Sequence, residues 1–407
     1  MALVVKKFGG SSVATPEKII AVAQRVIRDK QPDDKVVVVV SAMGDTTDHL
    51  VELANSMTDV PTGREMDMLL STGEQISIAL LAMAFNKLGY PAVSLTGFQA
   101  GVSTNNAFNK AKITKIKPQR VLEALETGKI VVVAGFQGMT PGGDITTLGR
   151  GGSDTTAVAL AGAMRADVCE IFTDVDGVYS SDPRVVKDAK RMKEITYNEM
   201  LEMARLGAVV MQPRSVEMGK HFGVPIHVRS TFSRELGTII REEYTVEEKE
   251  FVIRGVTHDT NVAKVAVLGV PDSPGIAYKI FSALAKANID VDMIVQSIRN
   301  VDKNIIDMVF TIAKPEIVEA RAIVEEVGKE LNVLGVMIEE DVAKVSVVGA
   351  GMFGSPGIAA TMFGALSDAG INIEVISTSE ISISCLIRAG QVDKAVNAIH
   401  ACFFKEA

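Results

Sequence analysis

The first half of the chain alternates short apolar runs with stretches whose apolar residues recur at helical spacing. The five consecutive valines of Val36–Val40 predict a strand buried on both faces, and Leu3–Phe8, Ile130–Ala134 and Val168–Thr173 are predicted to be further apolar strands. Between them, Thr15-Pro16-Glu17 has the residue types of a helix start, and a longer helix is expected from about Met66 to Leu88. Strands that alternate with helices predict an α/β fold with a largely parallel sheet sandwiched by helices.

The second half is an internal duplication. Residues 263–294 and 343–376 share the pentapeptide Ser-Pro-Gly-Ile-Ala, at Ser273–Ala277 and at Ser355–Ala359. Each copy is expected to form a strand, a glycine-proline turn, a helix and a strand. The elements expected to complete the copies are strands at Ile305–Ala313 and Ile381–Ile387 and helices at Ile317–Leu331 and Val392–Phe403. The pattern predicts tandem ferredoxin-like β-α-β-β-α-β domains.

A charged segment separates the two halves. Arg241–Glu250 is poor in core residues and is therefore a plausible linker. The expected domains are residues 1–245, 263–335 and 343–407. Phe251–Val256 and His258, within 251–260, are candidates for a strand that joins the last domain, which would leave the middle domain inserted into it.

Length and composition indicate a soluble enzyme of two or three domains. The chain has 407 residues, 47% of them hydrophobic and 23% charged. Its 42 basic and 50 acidic residues give a net charge of −8, which argues against nucleic acid as a partner. No apolar run approaches the ~20 residues of a membrane span, and no secretion signal is recognisable, so a cytoplasmic location is expected. The three cysteines and five histidines have no metal-ligand spacing, and no protein-held metal site is expected.

Two glycine-rich turns that lead into helices carry candidate phosphate chemistry. In the first, Lys7 ends a strand and is followed by Gly9, Gly10 and Ser11, so backbone N–H groups and a point charge could meet a phosphoryl group. Taken alone, this segment fits an ordinary strand-to-helix turn equally well. The second turn, Gly149–Asp154, contains an arginine that could grip a carboxylate with two hydrogen bonds. Ser153 or Asp154 could instead be a simple helix cap.

A third segment follows the strand Val168–Thr173. It runs from Thr173 to Arg184 and begins with Asp-x-Asp-Gly, without the glutamate that a calcium loop requires. A loop at the carboxyl end of a strand is a common ligand position in open α/β sheets. A literal G-x-G-x-x-G at Gly349–Gly354, with Glu374 twenty residues on, is rejected as a dinucleotide site. The other copy of the repeat lacks those glycines, and too few residues follow Glu374.

Four motifs, in this order, resemble those of the aspartate kinases of the amino-acid kinase superfamily. They are Lys-Phe-Gly-Gly-Ser-Ser-Val at 7–13, Ser-Thr-Gly-Glu at 71–74, Thr-Thr-Leu-Gly-Arg-Gly-Gly-Ser-Asp at 146–154 and Phe-Thr-Asp-Val-Asp-Gly-Val-Tyr at 172–179. The duplicated half resembles a pair of ACT domains, which are regulatory amino-acid-binding modules. The resemblance covers essentially the whole chain and is strongest to bacterial monofunctional enzymes inhibited by lysine, threonine or both.

The resemblance implies a reaction and a set of roles. ATP, with Mg²⁺, would phosphorylate the side-chain carboxylate of L-aspartate to give 4-phospho-L-aspartate. Lys7 would stabilise the phosphoryl group and Asp154 would organise the centre around it. Aspartate would be held by Ser41, Thr47, Glu74, Arg150 and Ser153, with Glu74 at its ammonium and Arg150 at its α-carboxylate. The nucleotide would contact Lys7, Gly9, Gly10, Ser11, Thr173, Asp174, Tyr179 and Arg184.

The sequence departs from the family pattern at one position, and the same resemblance implies a regulatory site. Val209 stands where several members of the family carry a nucleotide-binding lysine, and Arg184 or a nearby basic residue could replace it. The resemblance to ACT domains implies an effector site at Asp272, Gly275, Gln296 and Asn372. The alternative for Asp272 and Asn372 is that they are ordinary turn residues. Paired ACT edges imply a homodimer or higher oligomer, and some members of the family add a separate regulatory subunit.

Two other functions are compatible with parts of the sequence. A kinase for another acid, such as acetylglutamate or glutamate, is disfavoured by the ACT pair and by the combination of Glu74 with Arg150. An amino-acid-sensing protein with an inactive kinase domain is disfavoured because Lys7, Arg150 and Asp154 are all present.

Overall fold

The computed structural model describes residues 2–61, 63–243, 253–300, 305–352 and 355–404. These residues form two compact units. The first runs to Tyr179 and adds Arg191–Ala204 and the described residues from Val209 onward. The second contains Ser180–Lys190, Arg205–Ala208 and the described residues from 253 onward. Most of the expected linker Arg241–Glu250, part of the expected strand Phe251–Val256 and the end of the Gly349–Gly354 motif lie outside the described residues.

The first unit contains twelve strands and seven α-helices among its described residues. Its strands are β1 Leu3–Phe8, β2 Lys35–Val40, β3 Ala92–Leu95, β4 Val102–Thr104, β5 Ile113–Ile116, β6 Ile130–Ala134, β7 Gln137–Met139, β8 Ile145–Thr147, β9 Val168–Thr173, β10 Glu194–Thr196, β11 Ile226–Ser230 and β12 Thr238–Arg241. Its helices are α1 Pro16–Asp29, α2 Thr46–Met57, α3 Arg64–Lys87, α4 Gln119–Glu126, α5 Gly152–Met164, α6 Tyr197–Arg205 and α7 Pro213–Phe222.

An eight-stranded sheet forms the centre of this unit, in the order β10-β12-β11-β9-β1-β2-β6-β3. Only β11 and β12 are antiparallel neighbours, which confirms the largely parallel sheet predicted from the sequence. Alternate valines of β2 face opposite sides. Val36, Val38 and Val40 join the core beneath α1 and α3, while α5 packs against β1, β2 and β9 on the other side. Burial on both faces explains the unbroken apolar runs of β2 and β6.

A second, four-stranded sheet in the order β5-β4-β7-β8 was not expected from the sequence. Its strands are three or four residues long and contain several polar residues, so they give almost no period-two signal.

Helix α3 has 24 residues and is long and apolar enough, by composition, to span a membrane. However, 56% of its most apolar stretch is buried inside the protein. It also carries two buried carboxylates, Asp67 and Glu74, each less than 4% exposed. These are the properties of a core helix in a folded domain rather than of a lipid-facing one.

The second unit contains the two copies of the repeat. Its elements are β13 Gly255–Asp259, β14 Val262–Pro271, α8 Ile276–Lys286, β15 Ile294–Asn300, β16 Ile305–Ala313, α9 Ile317–Leu331, β17 Gly335–Glu339, β18 Val342–Val348, α10 Ile358–Asp368, β19 Val375–Thr378, β20 Ser382–Arg388 and α11 Val392–Phe404. The two sheets have the orders β15-β16-β14-β17 and β19-β20-β18-β13. Strand β13 therefore fills in the second sheet the place that β17 fills in the first.

The antiparallel pairing of β18 also bears on the glycine motif that begins at Gly349. Both neighbours of β18 are antiparallel to it, so the strand–helix–strand unit that follows does not form the parallel βαβ unit of a dinucleotide-binding fold.

The segment Ser180–Lys190 belongs to the second unit because it packs against α11. Val186 lies in the same apolar core as Val396 and Ile399 of that helix. The hydroxyl of Ser180 lies 2.9 Å from Nε2 of the buried His400.

Candidate functional site

The site is built where four parallel strands end at one edge of the large sheet. Phe8, at the end of β1, lies opposite Val40 of β2 and Phe172 of β9, and Val40 lies opposite Ala134 of β6. The residues that follow these strand ends therefore lie along a common edge. That edge is where ligands bind in open α/β sheets.

Lys7 and Asp154 form a nearly buried ion pair at this edge. The Lys7 ammonium lies 2.6 Å from Oδ1 of Asp154, and both side chains are less than 15% exposed. Helix α5 can start close to the end of β6 because residue 135 is glycine. A Cβ at Gly135 would lie 2.7 Å from the Cβ of Ser153. The structure thus brings together the two residues expected to be catalytic.

The first glycine-rich turn is packed against the segment that follows β2. The Ser12 N–H donates to the Gly9 carbonyl over 3.0 Å, and the Gly44 N–H donates to the Gly10 carbonyl over 3.1 Å. A side chain at Gly10 would place its Cβ 2.9 Å from the Ala42 carbonyl oxygen. Ser41 is half-buried between the two segments, and its N–H donates to the Phe8 carbonyl. The glycine-rich turn and the Ser41–Thr47 segment therefore pack against each other and are held by mutual backbone hydrogen bonds.

Glu74 presents a buried carboxylate oxygen that has no hydrogen-bond partner in the described part of the chain. Its Oε1 accepts a hydrogen bond of 3.0 Å from the Ala42 N–H, while its Oε2 is unpaired. The residue is 3% exposed, and burial raises the pKa of its carboxyl group to about 7. An unpaired buried carboxylate is unfavourable unless a donor or cation meets it. Its environment is therefore suited to an ammonium group.

The second glycine-rich turn presents Arg150. Gly149 and Gly151 have φ values of 75° and 68°, a region that favours glycine, and Gly151 is the N-terminal cap of α5. No side chain caps this helix, so Ser153 and Asp154 lie in its first turn and are not caps. Arg150 is exposed, and in the part of the chain that the structure describes it forms no ion pair.

The residues expected to hold the nucleotide belong to both compact units. Thr173 and Asp174 follow β9, and the Thr173 hydroxyl donates to Asp174 over 3.1 Å. Tyr179 pairs with Arg191 in an isolated β-bridge. Arg184 lies in the second unit, where its guanidinium binds both carboxylate oxygens of Asp182, so its role stays a prediction. The side chain of Val209 is 84% exposed.

One polar residue close to the site was missed by the sequence reasoning. Asp67 is fully buried on α3, and its carboxylate accepts hydrogen bonds from the backbone N–H groups of Asn109 and Thr147 and from the Thr147 hydroxyl. It precedes Glu74 by seven residues, or two helical turns, so both lie on the same face of the helix. The available signal was a pair of acidic residues at that spacing in a helix whose buried face also contains apolar residues such as Leu70 and Ile78.

The expected effector residues are distributed over the two copies of the repeat. Asp272 and Gly275 lie between β14 and α8, where Gly275 has a φ of 95° and caps the helix. Gln296 lies on β15 of the same sheet, and Asn372 lies before β19 in the other copy. Gly357, with a φ of 102°, caps α10 in the same way, so the turn geometry belongs to the repeat as a whole.

No group of three or more His, Cys, Asp or Glu side chains that could hold a metal ion occurs among the described residues.

Comparisons with known proteins match this architecture along the whole chain. The amino acid kinase family model matches residues 2–230, and an ACT domain model matches residues 265–327 and 345–403. The aspartokinase of Bacillus sp. (strain MGA3) is 50% identical over 403 residues, which cover 99% of this chain and 97% of that protein.

Solved structures give the same result. The crystal structure of E. coli aspartokinase III in complex with aspartate and ADP, in its R-state, has a TM-score of 0.84 at 26% identity. The T-state of that enzyme, in complex with lysine and aspartate, has a TM-score of 0.78. Both alignments cover 99% of this chain and 100% of the other. The chain belongs to the amino acid kinase family and, within it, to the aspartokinases.

Proposed function

We propose that the chain transfers the γ-phosphoryl group of ATP to the side-chain carboxylate of L-aspartate, giving 4-phospho-L-aspartate and ADP. The observation that carries this proposal is that a lysine and a carboxylate lie near one edge of the sheet, the lysine available to a phosphoryl group and the carboxylate to a substrate ammonium. The Lys7 ammonium is fixed by Asp154 beside the glycine turn, and the Glu74 carboxylate has an oxygen free for a cation.

Aspartate recognition is assigned to complementary groups. Glu74 binds the α-ammonium, and the exposed guanidinium of Arg150 binds the α-carboxylate with two parallel hydrogen bonds. Ser41, Thr47 and Ser153 supply hydroxyl groups near the strand ends and the start of α5. With both α-substituents held, the side-chain carboxylate is the one left to react.

The chemistry requires no general base, because the acceptor carboxylate is already ionised at pH 7. One of its oxygens forms a bond to the γ-phosphorus while the bond from that phosphorus to the β–γ bridging oxygen breaks, and ADP leaves with the electron pair. The obstacle is repulsion between two anions. Lys7 and the N-terminus of α5 offset that repulsion, and Asp154 holds Lys7 in place, so catalysis rests on positioning and charge neutralisation.

The nucleotide is assigned to the turn Gly9–Ser11 and to the loop after β9, with Thr173, Asp174 and Tyr179. Mg²⁺ bound by the phosphates would neutralise charge that develops on them. Whether Arg184 also contacts the nucleotide stays a prediction of the family resemblance.

Regulation is assigned to the two ACT copies. Lysine, threonine or both would bind near Asp272, Gly275, Gln296 and Asn372, and we propose that paired ACT edges form a homodimer or a higher oligomer. The related E. coli aspartokinase III forms a complex with lysine in its T-state, which supports a basic amino acid as one effector.

We also propose that the enzyme works in the cytoplasm.

A substrate panel tests this function. ATP consumption is measured with L-aspartate, L-glutamate and N-acetylglutamate, each with and without lysine and threonine. Only aspartate is expected to support rapid turnover. The acetylated amine of N-acetylglutamate cannot pair with Glu74, and the side chain of glutamate is one methylene longer, which displaces its carboxylate from the position for phosphoryl transfer. Faster turnover with either other acid would contradict the proposal, and so would a protein that binds lysine or threonine but turns over none of the three acids.

A further inference from the structure

A second buried carboxylate on α3 holds two backbone segments that lie beside the Arg150 turn. Both oxygens of Asp67 lie 3.0 Å from the Asn109 nitrogen, and Oδ2 lies 2.9 Å from the Thr147 nitrogen. The Thr147 hydroxyl donates to Oδ1 over 2.6 Å. The carboxylate thus accepts from three donors on two separate segments, which compensates its complete burial.

Those two segments meet at the turn that presents Arg150. Thr147 ends β8 three residues before Arg150. Asn109 lies against Gly149, because a Cβ on that glycine would come within 3.2 Å of the Asn109 carbonyl oxygen. Asn109 itself has a φ of 65°, an uncommon conformation for a residue other than glycine, and Asp67 binds its N–H.

Helix α3 therefore connects the two groups assigned to the substrate. Asp67 and Glu74 are separated by seven residues, about 10 Å along the axis at 1.5 Å per residue. Glu74 faces the expected ammonium directly, whereas Asp67 fixes the strand that leads to Arg150. A rigid helix between them sets the position of Arg150 relative to Glu74.

We propose that Asp67 is a positioning residue that places Arg150 for the α-carboxylate of the amino-acid substrate. This inference rests on the proposed function, since it takes Arg150 to bind that carboxylate. Asp67 does not touch the substrate. Its effect is confined to the recognition of the α-carboxylate, and the recognition of ATP and the reacting carboxylate do not depend on it.

The main test compares Asp67→Asn with the wild type, using aspartate and its α-carboxamide, which lacks the α-carboxylate. The asparagine has nearly the same shape but can accept fewer hydrogen bonds, and its NH₂ opposes an N–H donor. We expect the KM for aspartate to rise about tenfold, which corresponds to loss of one hydrogen bond to a charged group. The KM for ATP should change less than about twofold, and the preference for aspartate over the carboxamide should narrow by about the same factor of ten, because the effect is confined to the α-carboxylate.

A milder variant and a matched control keep the result interpretable. Thr147→Val removes only the hydroxyl bond to Asp67, and it should shift the KM for aspartate in the same direction by about threefold. Phe85→Leu, a buried change farther along the same helix, should lower the melting temperature without changing the preference between the two substrates.

If Asp67→Asn changes the KM values for aspartate, the carboxamide and ATP by similar factors, as a purely destabilising substitution would, the inference is overturned. An unchanged KM for aspartate in Asp67→Asn would overturn it too. If Asp67→Asn does not fold, an unchanged substrate preference in Thr147→Val has the same meaning. A wild-type enzyme that fails to phosphorylate aspartate would instead contradict the proposed function, so the two failures are distinguishable.

Discussion

At the scale of single residues, the most informative group is the Glu74 carboxylate. It is buried beside the Ala42 N–H, and one of its oxygens has no donor among the described residues. Its pKa of about 7 means that it is only partly ionised at neutral pH when no substrate is present. An ammonium group bound to Glu74 would restore the ionised form, so substrate binding and the protonation of Glu74 are coupled.

We expect the affinity for aspartate to rise with pH between about 6 and 8. Below its pKa of about 7, Glu74 is protonated and cannot pair with the substrate ammonium; above it, the carboxylate is ionised. The KM for aspartate should therefore fall across this range, and Glu74→Gln should have a high KM that is independent of pH. A wild-type KM as flat as that of Glu74→Gln would contradict this role.

The raised pKa of Glu74 also lowers the stability of the protein when no substrate is bound. Because the pKa in the folded state lies above the ordinary 4.5, ionisation opposes folding, and the cost grows from pH 4.5 to 7 and is constant above it. Its full size is about 3 kcal/mol at 1.36 kcal/mol per unit. Glu74→Gln should thus be more stable than the wild type at pH 8 and about equal at pH 4.5. Urea unfolding of both proteins at both pH values measures this difference in stability. A wild type that is more stable than Glu74→Gln at pH 8 would contradict the prediction.

At the scale of the elements, the site depends on how closely α3 approaches the segment after β2. A Cβ at Gly73 would lie 2.8 Å from the Cβ of Ala42, whose N–H binds Glu74. The sequence predicted this helix because it is a long segment rich in apolar residues. It predicted the four central strands because each contains a short apolar run. It did not predict α2 or the small sheet with β8, because short polar elements acquire their structure from tertiary contacts such as those of Asp67.

Gly73→Ala tests this close approach. The added methyl group should push α3 away from Ala42, destabilise the protein by about 1–3 kcal/mol and raise the KM for aspartate. Gly364→Ala is the matched control, because Gly364 is also within a helix and a Cβ there meets no atom of the described residues within 4 Å. That control should be neutral or slightly stabilising. Equal effects of the two substitutions on stability and KM would contradict the packing argument.

At the scale of the whole molecule, the duplication in the sequence becomes a symmetric arrangement within the second unit. Lys264 and Lys344 are equivalent in the repeat, as are Asp292 and Glu374. Each lysine pairs with the carboxylate of the other copy: Lys264 lies 2.6 Å from Glu374, and Lys344 pairs with Asp292. The sequence predicted the two copies but not these pairs. Nor did it predict that Ser180–Lys190 packs with the second unit.

Regulation is the prediction that belongs to this scale. Asp272→Ala should weaken inhibition by lysine or threonine at least about tenfold, as expected for loss of a charged contact to the effector, with kcat and KM near those of the wild type. Glu325→Ala, an exposed acid on α9, is the control and should leave inhibition unchanged. Inhibition curves with each amino acid and with both together measure this. Unchanged inhibition of Asp272→Ala under all three conditions would remove Asp272 from the effector site.

The central claim is phosphoryl transfer to a carboxylate, stabilised by Lys7. Its most direct test is to trap the acyl phosphate with hydroxylamine and quantify the aspartyl hydroxamate formed by wild type, Lys7→Ala and Lys87→Ala, with circular dichroism to verify folding. Wild type and Lys87→Ala, which changes an exposed lysine at the end of α3, should form the hydroxamate at similar rates. Folded Lys7→Ala should form it at least about a hundredfold more slowly, within the range that a single electrostatic contact supplies. Near-normal hydroxamate formation by folded Lys7→Ala, or none by the wild type, would contradict the account.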